Sequence, residues 1–127
     1  MKFIIFVFLL MGLFVSCGQD DDNPTYRTDP LSCDVTSDNN SKHSCFDYTG
    51  TDHSVSGIIS SCGNVSGAAS TTEWCSDTDK IGKCVYHGDS SGEYVGYYYS
   101  SGGSSGDYDV NSATADCNNL KGVFTAI

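Results

Sequence analysis

The chain has 127 residues with six basic and sixteen acidic side chains, a formal net charge of −10, seven cysteines and three histidines. That balance excludes electrostatic binding to nucleic acid and to anionic lipid, since both require a basic face. The length allows one domain with a modest core.

Lys2 followed by Phe3–Val15, apolar apart from Gly12, has the form of a signal-peptide n-region and h-region. The run falls short of the roughly 20 apolar residues of a spanning helix, so residues 1–16 are predicted to be a signal peptide. It closes on "FVSC", which resembles a bacterial lipobox, the motif cut immediately before a cysteine that then carries lipid. The resemblance implies lipidation of Cys17 and, through that lipid, attachment to a membrane. Each buried methylene is worth about 0.8 kcal/mol, so two or three acyl chains make a lasting tether. The following "GQDDD", Gly18–Asp22, resembles the acidic signal that sends lipoproteins of Bacteroidetes-type bacteria to the outer face of the outer membrane. The expected location is therefore the outer membrane, lipid-anchored and facing the cell exterior.

Cleavage before Cys17 leaves 111 of the 127 residues and removes Lys2, so five basic stand against sixteen acidic side chains, or −11. Residues 17–32 hold two prolines, four aspartates and almost nothing aliphatic, and are predicted to be a lipidated, acidic, disordered stalk. Residues 33–127 are predicted to be a disulfide-stapled globular module. With Cys17 acylated, an even set remains: Cys33, Cys45, Cys62, Cys75, Cys84 and Cys117. In an exported chain that set reads as three disulfides. No C-x-x-C pair exists and His43, His53 and His87 do not fall at finger spacing, so neither a metal nor a cofactor is predicted.

Within the module, Cys33–Cys45 is polar and expected to be a loop pinned by its terminal cysteines. "CFDYT" from Cys45 reads as a strand. "SVSGIISSC" reads as a short helix capped by Ser54. Trp74, next to Cys75, is expected to be a core aromatic packed on a disulfide. "SDTDK", residues 76–80, has the oxygen-rich alternation of a calcium loop but lacks the glycine and distal glutamate of an EF-hand. "GKCVYH" and "EYVGYYYS", joined by "GDSSG", predict an antiparallel hairpin from Lys83 to Tyr99. Residues 100–107 are a glycine-serine excursion, "NSATADCNNL" a second short helix starting at Asn111, and "GVFTAI" a closing strand. The predicted class is α+β: a small disulfide-rich domain with an antiparallel sheet and two short helices.

Two stretches, from Cys45 to Gly67 and from Cys84 to Gly122, share an opening cysteine and a closing C-x4-G, and are read as an internal pseudo-repeat. Local pairing inside each unit predicts Cys45–Cys62 and Cys84–Cys117, leaving Cys33–Cys75. Along "EYVGYYY", Tyr94, Gly96 and Tyr98 share one face and Val95, Tyr97 and Tyr99 the other. The Val95 face is expected to pack on the helices, leaving Tyr94 and Tyr98 partly open beside Gly96 as a binding face.

"GKC", "YYYS" and "C-x4-G-x-F", in the order they take between Cys45 and Phe124, resemble an uncharacterised cysteine-rich module of Gram-negative secreted proteins and lipoproteins. The resemblance implies no particular activity. No serine is read in the strand-turn-helix context of a nucleophile elbow, and no catalytic residue is predicted; His87, at a strand end beside Gly88 and Asp89, is the best single acid/base candidate. The expected function is a surface-exposed, non-catalytic lipoprotein module binding an unidentified protein or glycan. The alternative is a small extracytoplasmic hydrolase or an inhibitor of one.

Overall fold

Alternation along the strands decides what each face of the sheet does. In the computed structural model, which describes residues 26–36 and 42–127, the elements run β1 (Ser32–Val35), β2 (Ser44–Asp47), α1 (Val55–Gly63), β3 (Ala68–Thr71), β4 (Lys80–Tyr86), β5 (Tyr94–Tyr99), α2 (Val110–Asn119) and β6 (Val123–Ala126). The six strands form one sheet in the order β3-β1-β2-β5-β4-β6, every pairing antiparallel. The α+β class, antiparallel sheet, two helices and three disulfides thus stand as expected. Cys17 and the signal-peptide residues lie outside the described residues.

Register places Cys33 opposite Phe46, Phe46 opposite Gly96, Gly96 opposite Cys84 and Cys84 opposite Phe124. Directly opposed residues share a face, so these five lie on one side of the sheet. Both helices attach there: α1 through Cys33–Cys62 and α2 through Cys84–Cys117. Cys45 stands opposite Asp34 and Tyr97, one residue out of step, and therefore points to the other side. There it bonds Cys75.

The expected Cys84–Cys117 bridge is present, whereas Cys45–Cys62 and Cys33–Cys75 are corrected to Cys33–Cys62 and Cys45–Cys75. The reason is β1, which was read as stalk and loop: its Cys33, rather than Cys45, lies under α1. Cys33 on β1 bridges to α1 as Cys84 on β4 bridges to α2. Each half then has the element order strand, strand, helix, strand.

The fold also claims part of the predicted stalk. Tyr26 bridges Gly50, the Arg27 amide donates to the Thr49 carbonyl at 2.7 Å, and Leu31 is buried, 2% exposed. β3 was likewise missed, because "AAST" carries no large apolar residue to mark a strand. The start of α2 moves back two residues: Asp109, not Asn111, is the N-cap, in a reciprocal capping box with Ser112. Ser54 caps α1 as expected, accepting from the Gly57 amide at 3.1 Å.

The side away from the helices is covered by residues 72–79, which run from β3 at one end of the sheet to β4 in its other half. Ser32 Oγ donates to the Glu73 carbonyl (2.8 Å), the Cys75 amide to Asp47 Oδ1 (2.9 Å) and the Tyr99 hydroxyl to the Ser76 carbonyl (2.8 Å). Cys45–Cys75 staples this strap to the middle of the sheet. Cys75 points inward, while its neighbour Trp74, expected in the core, is 42% exposed.

Candidate functional site

α1 packs on β3 and β1, and α2 on β6 and β4. Each disulfide ties its helix to an outer strand pair, so the two middle strands β2 and β5 are floored by their own side chains between the helices. On that side β2 offers Ser44 and Phe46, with Tyr48 just beyond its end, and β5 offers Tyr94, Gly96 and Tyr98. A cleft of about 260 Å³ opens here between α2 and the sheet.

Its floor is Ser44, Phe46 and Tyr98; its rim is Tyr108, Asp116, Asn119 and Leu120. The Phe46 ring lies flat enough over β5 to need a glycine opposite it. A Cβ on Gly96 would meet Phe46 Cε1 at 2.9 Å and Tyr86 Cε2 at 3.2 Å. Tyr98 is buried, 2% exposed, in one cluster with Cys84, Tyr86, Ala113 and Cys117. Its hydroxyl shares a hydrogen bond of 3.1 Å with that of Tyr86, and burial foremost holds both phenols above their ordinary value. Tyr108 stands edge-on to Tyr98 with ring centroids 4.8 Å apart, and its hydroxyl donates to Asp116 Oδ2 at 2.7 Å. Burial and then that bond to a carboxylate raise the Tyr108 phenol, so it remains a donor across the physiological range. The Lys42 ammonium lies 5.0 Å from the centre of the Tyr108 ring.

The two tyrosines expected to form an open face are therefore separated in role. The helices pack on the Tyr94–Tyr98 side, the reverse of the expectation, because Cys84 and Cys33 share that side. Tyr98 is a buried floor residue. Tyr94, half-buried, belongs to a second aromatic group: it stacks on Tyr86 (4.5 Å) and Tyr48 (5.8 Å), with His53 edge-on at 6.0 Å and His87 at 6.1 Å. On the opposite side Tyr99 is buried under His43, which stacks on it at 4.0 Å.

The hydrogen bonds of the histidines bear on chemistry. His43 Nε2 meets Asp34 Oδ1 at 2.9 Å and Nδ1 meets the Ser101 carbonyl at 3.0 Å, so both ring nitrogens are engaged within the chain. His53 Nε2 donates to the Gly92 and Glu93 carbonyls at 3.0 and 3.1 Å. His87 is exposed on a left-handed residue, φ 51°, at the β4–β5 turn. In the calcium-like stretch, Asp77 pairs with Lys80 at 2.7 Å and Asp79 accepts from Ser101 Oγ at 2.7 Å, so both carboxylates are engaged within the chain.

One group of metal-ligand type occurs among the described residues: Cys45, Asp47 and Cys75, whose ligand atoms all lie within 4.8 Å of one another. The two sulfurs are bonded to each other and offer no thiolate, and Asp47 accepts the Cys75 amide; the group is a buried structural contact. The rim residues Tyr108, Asp116, Asn119 and Leu120 were not singled out in the sequence. The available signal was the helical spacing of Asp116, Asn119 and Leu120, three and four residues apart, which puts them on one face.

Comparison of the chain with family models, with curated proteins and with solved structures finds no match.

Proposed function

We propose that this protein is a surface-exposed bacterial lipoprotein, anchored to the outer membrane through lipid on Cys17, whose folded part is a non-catalytic module holding a ligand in the cleft over β2 and β5. The observation that carries this reading is the cleft itself: an aromatic floor, one carboxylate, one phenol and one amide at the rim, fixed between elements that disulfides tie to the sheet. Apolar floors with a few converging polar groups are the usual form of ligand sites. The ligand proposed is a protein or glycan of the cell exterior. The hydrolase alternative draws no support from His43 and His53, whose bonds to carbonyls and a carboxylate set no imidazole nitrogen against a nucleophile.

Two measurements test the two halves of the proposal. Radiolabelled palmitate should enter the wild type and not Cys17→Ser; equal labelling of both ends the lipoprotein reading. Cross-linking on intact cells should recover a partner with the wild type and lose it with Leu120→Asp combined with Asn119→Ala, rim changes that keep the fold. Recovery unchanged by those substitutions removes the cleft as the binding site.

A further inference from the structure

Strand register sets Ser44 of β2 directly opposite Tyr98 of β5, on the floor of the cleft under α2. Ser44 is 9% exposed, yet its hydroxyl makes no hydrogen bond among the described residues. A hydroxyl withdrawn from bulk water without a partner costs free energy that a hydrogen-bonding ligand returns. Two further groups around the same opening have spare capacity. Asp116 accepts the Tyr108 hydroxyl on Oδ2 at 2.7 Å, while its Oδ1 has no partner among the described residues. Asn119 is exposed, and its side-chain amide likewise bonds to none of them. Three residues apart on α2, the carboxylate and the amide stand side by side on one helix face.

The chemistry of this set selects its ligand. The lining holds one carboxylate and no cation, which disfavours an anion. An ammonium donates three bonds and accepts none, so it would leave the Asn119 NH2 group unmatched and meet the Lys42 ammonium already seated over Tyr108. Hydroxyl groups both donate and accept, as a carboxylate, an amide and a serine together require. Size points the same way: about 260 Å³ lies just below the roughly 300–1,000 Å³ of small-molecule sites and takes a single ring, whereas a folded protein partner needs about 800 Å² of contact. Resting on the reading of this cleft as a ligand site, we propose that its ligand is a neutral pyranose, one residue of a glycan. The sugar lays its C–H face on the Phe46 ring, gives hydroxyls to Asp116 Oδ1 and the Asn119 amide, and holds a further hydroxyl against Ser44 Oγ.

The probes are the methyl glycosides of glucose, galactose, mannose and N-acetylglucosamine, each titrated into the intact, oxidised, isotope-labelled chain, with glucuronate and lysine methyl ester as charged controls. At tens of millimolar, at least one neutral glycoside should shift the resonances of Ser44, Phe46 and the Asn119 side-chain amide, and neither control should. Ser44→Ala and Asn119→Ala should each weaken that glycoside roughly three- to tenfold, the worth of one neutral hydrogen bond. Ser44→Ala should also keep or raise the Tm, since the hydroxyl has no partner in the described chain to lose, whereas a structural serine would lower it. Asn119→Ala, at an exposed site, keeps the binding test independent of folding. Three results overturn the proposal: no shift from any neutral glycoside, equal or larger shifts from a charged control, or glycoside affinity untouched by both substitutions. If no glycoside binds while cross-linking on intact cells still loses its partner with Leu120→Asp and Asn119→Ala combined, the sugar falls and the cleft stands, its occupant a protein. Glycoside shifts confined to residues away from the cleft remove both.

Discussion

Replacing Tyr98 by serine separates a buried tyrosine from a surface one. The ring fills the space between β5 and α2, against Ala113, Cys117 and Cys84, with Tyr108 and Phe124 at its edges. Truncating a large buried aromatic costs about 3–5 kcal/mol in lost transfer and cavity energy. The lost bond to Tyr86 leaves that buried hydroxyl without its partner, adding on the order of 1 kcal/mol. Against a total stability of roughly 5–15 kcal/mol for a domain of this kind, Tm should fall on the order of 15–25 °C. Tyr98→Phe isolates the hydroxyl and should cost about 1–2 kcal/mol. Leu120→Ser, at a site 59% exposed on the rim of the same cleft, should stay within about 0.5 kcal/mol of the wild type. Thermal unfolding followed by near-ultraviolet circular dichroism under oxidising conditions reads all three. A Tyr98→Ser protein that melts within a few degrees of the wild type would refute the placement of this ring under α2.

Gly122→Ala should destabilise by at least about 2 kcal/mol through overpacking, because its Cβ would stand 2.1 Å from Cys84 Sγ and 3.0 Å from Cys117 Sγ, atoms fixed by their own bond. Gly63→Ala, where a Cβ meets nothing within 4 Å at the end of α1, should instead stabilise by about 0.5–1 kcal/mol; urea titration compares the two, and equal effects would contradict the packing of β6 over the bridge. Burial raises the Asp47 carboxyl above its ordinary 3.8, opposed by the Cys75 amide bond. A folded value above the unfolded one means that its contribution to stability is fully present below 3.8 and is lost as pH rises through the folded value. Asp47→Asn keeps an acceptor for the Cys75 amide and stays neutral, so the Tm of the wild type relative to this variant should climb as pH is lowered from 7 toward 4; a difference that does not vary with pH contradicts the burial of an ionisable group there.

The parts of the fold legible in the sequence are those whose large side chains announce a period. "EYVGYYYS" alternates aromatics on both faces, and β5 is indeed covered on both, by an aromatic cluster with Tyr86 and Tyr108 on one side and by the strap on the other. "SVSGIISSC" begins with a serine cap and gives α1 at its expected place. β1 and β3 were hidden because neither supplies a hydrophobic alternation: β1 lies among the polar residues of "LSCDVTS", and β3 is built from alanine, serine and threonine. Their stability comes from neighbours and bridges rather than from intrinsic preference, a tertiary effect that local patterns do not carry. Missing β1 exchanged the partners of two disulfides, since Cys33 on β1 faces α1 while Cys45 on β2 faces the strap. The same exchange inverted the expected roles of the Tyr94–Tyr98 and Val95–Tyr99 faces. The site was less legible than the fold, because its rim combines residues from α2 with Tyr108, which falls between the glycine-serine excursion and the second helix and belongs to no predicted element.

The position of the cleft follows from the disulfides. Each half of the chain sends its helix back over its own outer strands, and Cys33–Cys62 and Cys84–Cys117 fix that return at sequence separations of 29 and 33 residues. Bridges closing loops of this size stabilise by between about 3 and 4 kcal/mol each in the chain-entropy treatment, a substantial share of what so small a core supplies. With the helices fixed at the outer pairs, the central strands must be covered by their own aromatics, and Phe46 achieves this by lying across Gly96. Cys45–Cys75 performs the complementary task on the far side, holding the strap against Asp47 and Tyr99. The floor of the cleft is thereby locked from below by a disulfide-anchored strap and from the sides by disulfide-anchored helices. A ligand entering it meets side chains already ordered, so the entropy of arranging the site is lost on folding rather than on binding.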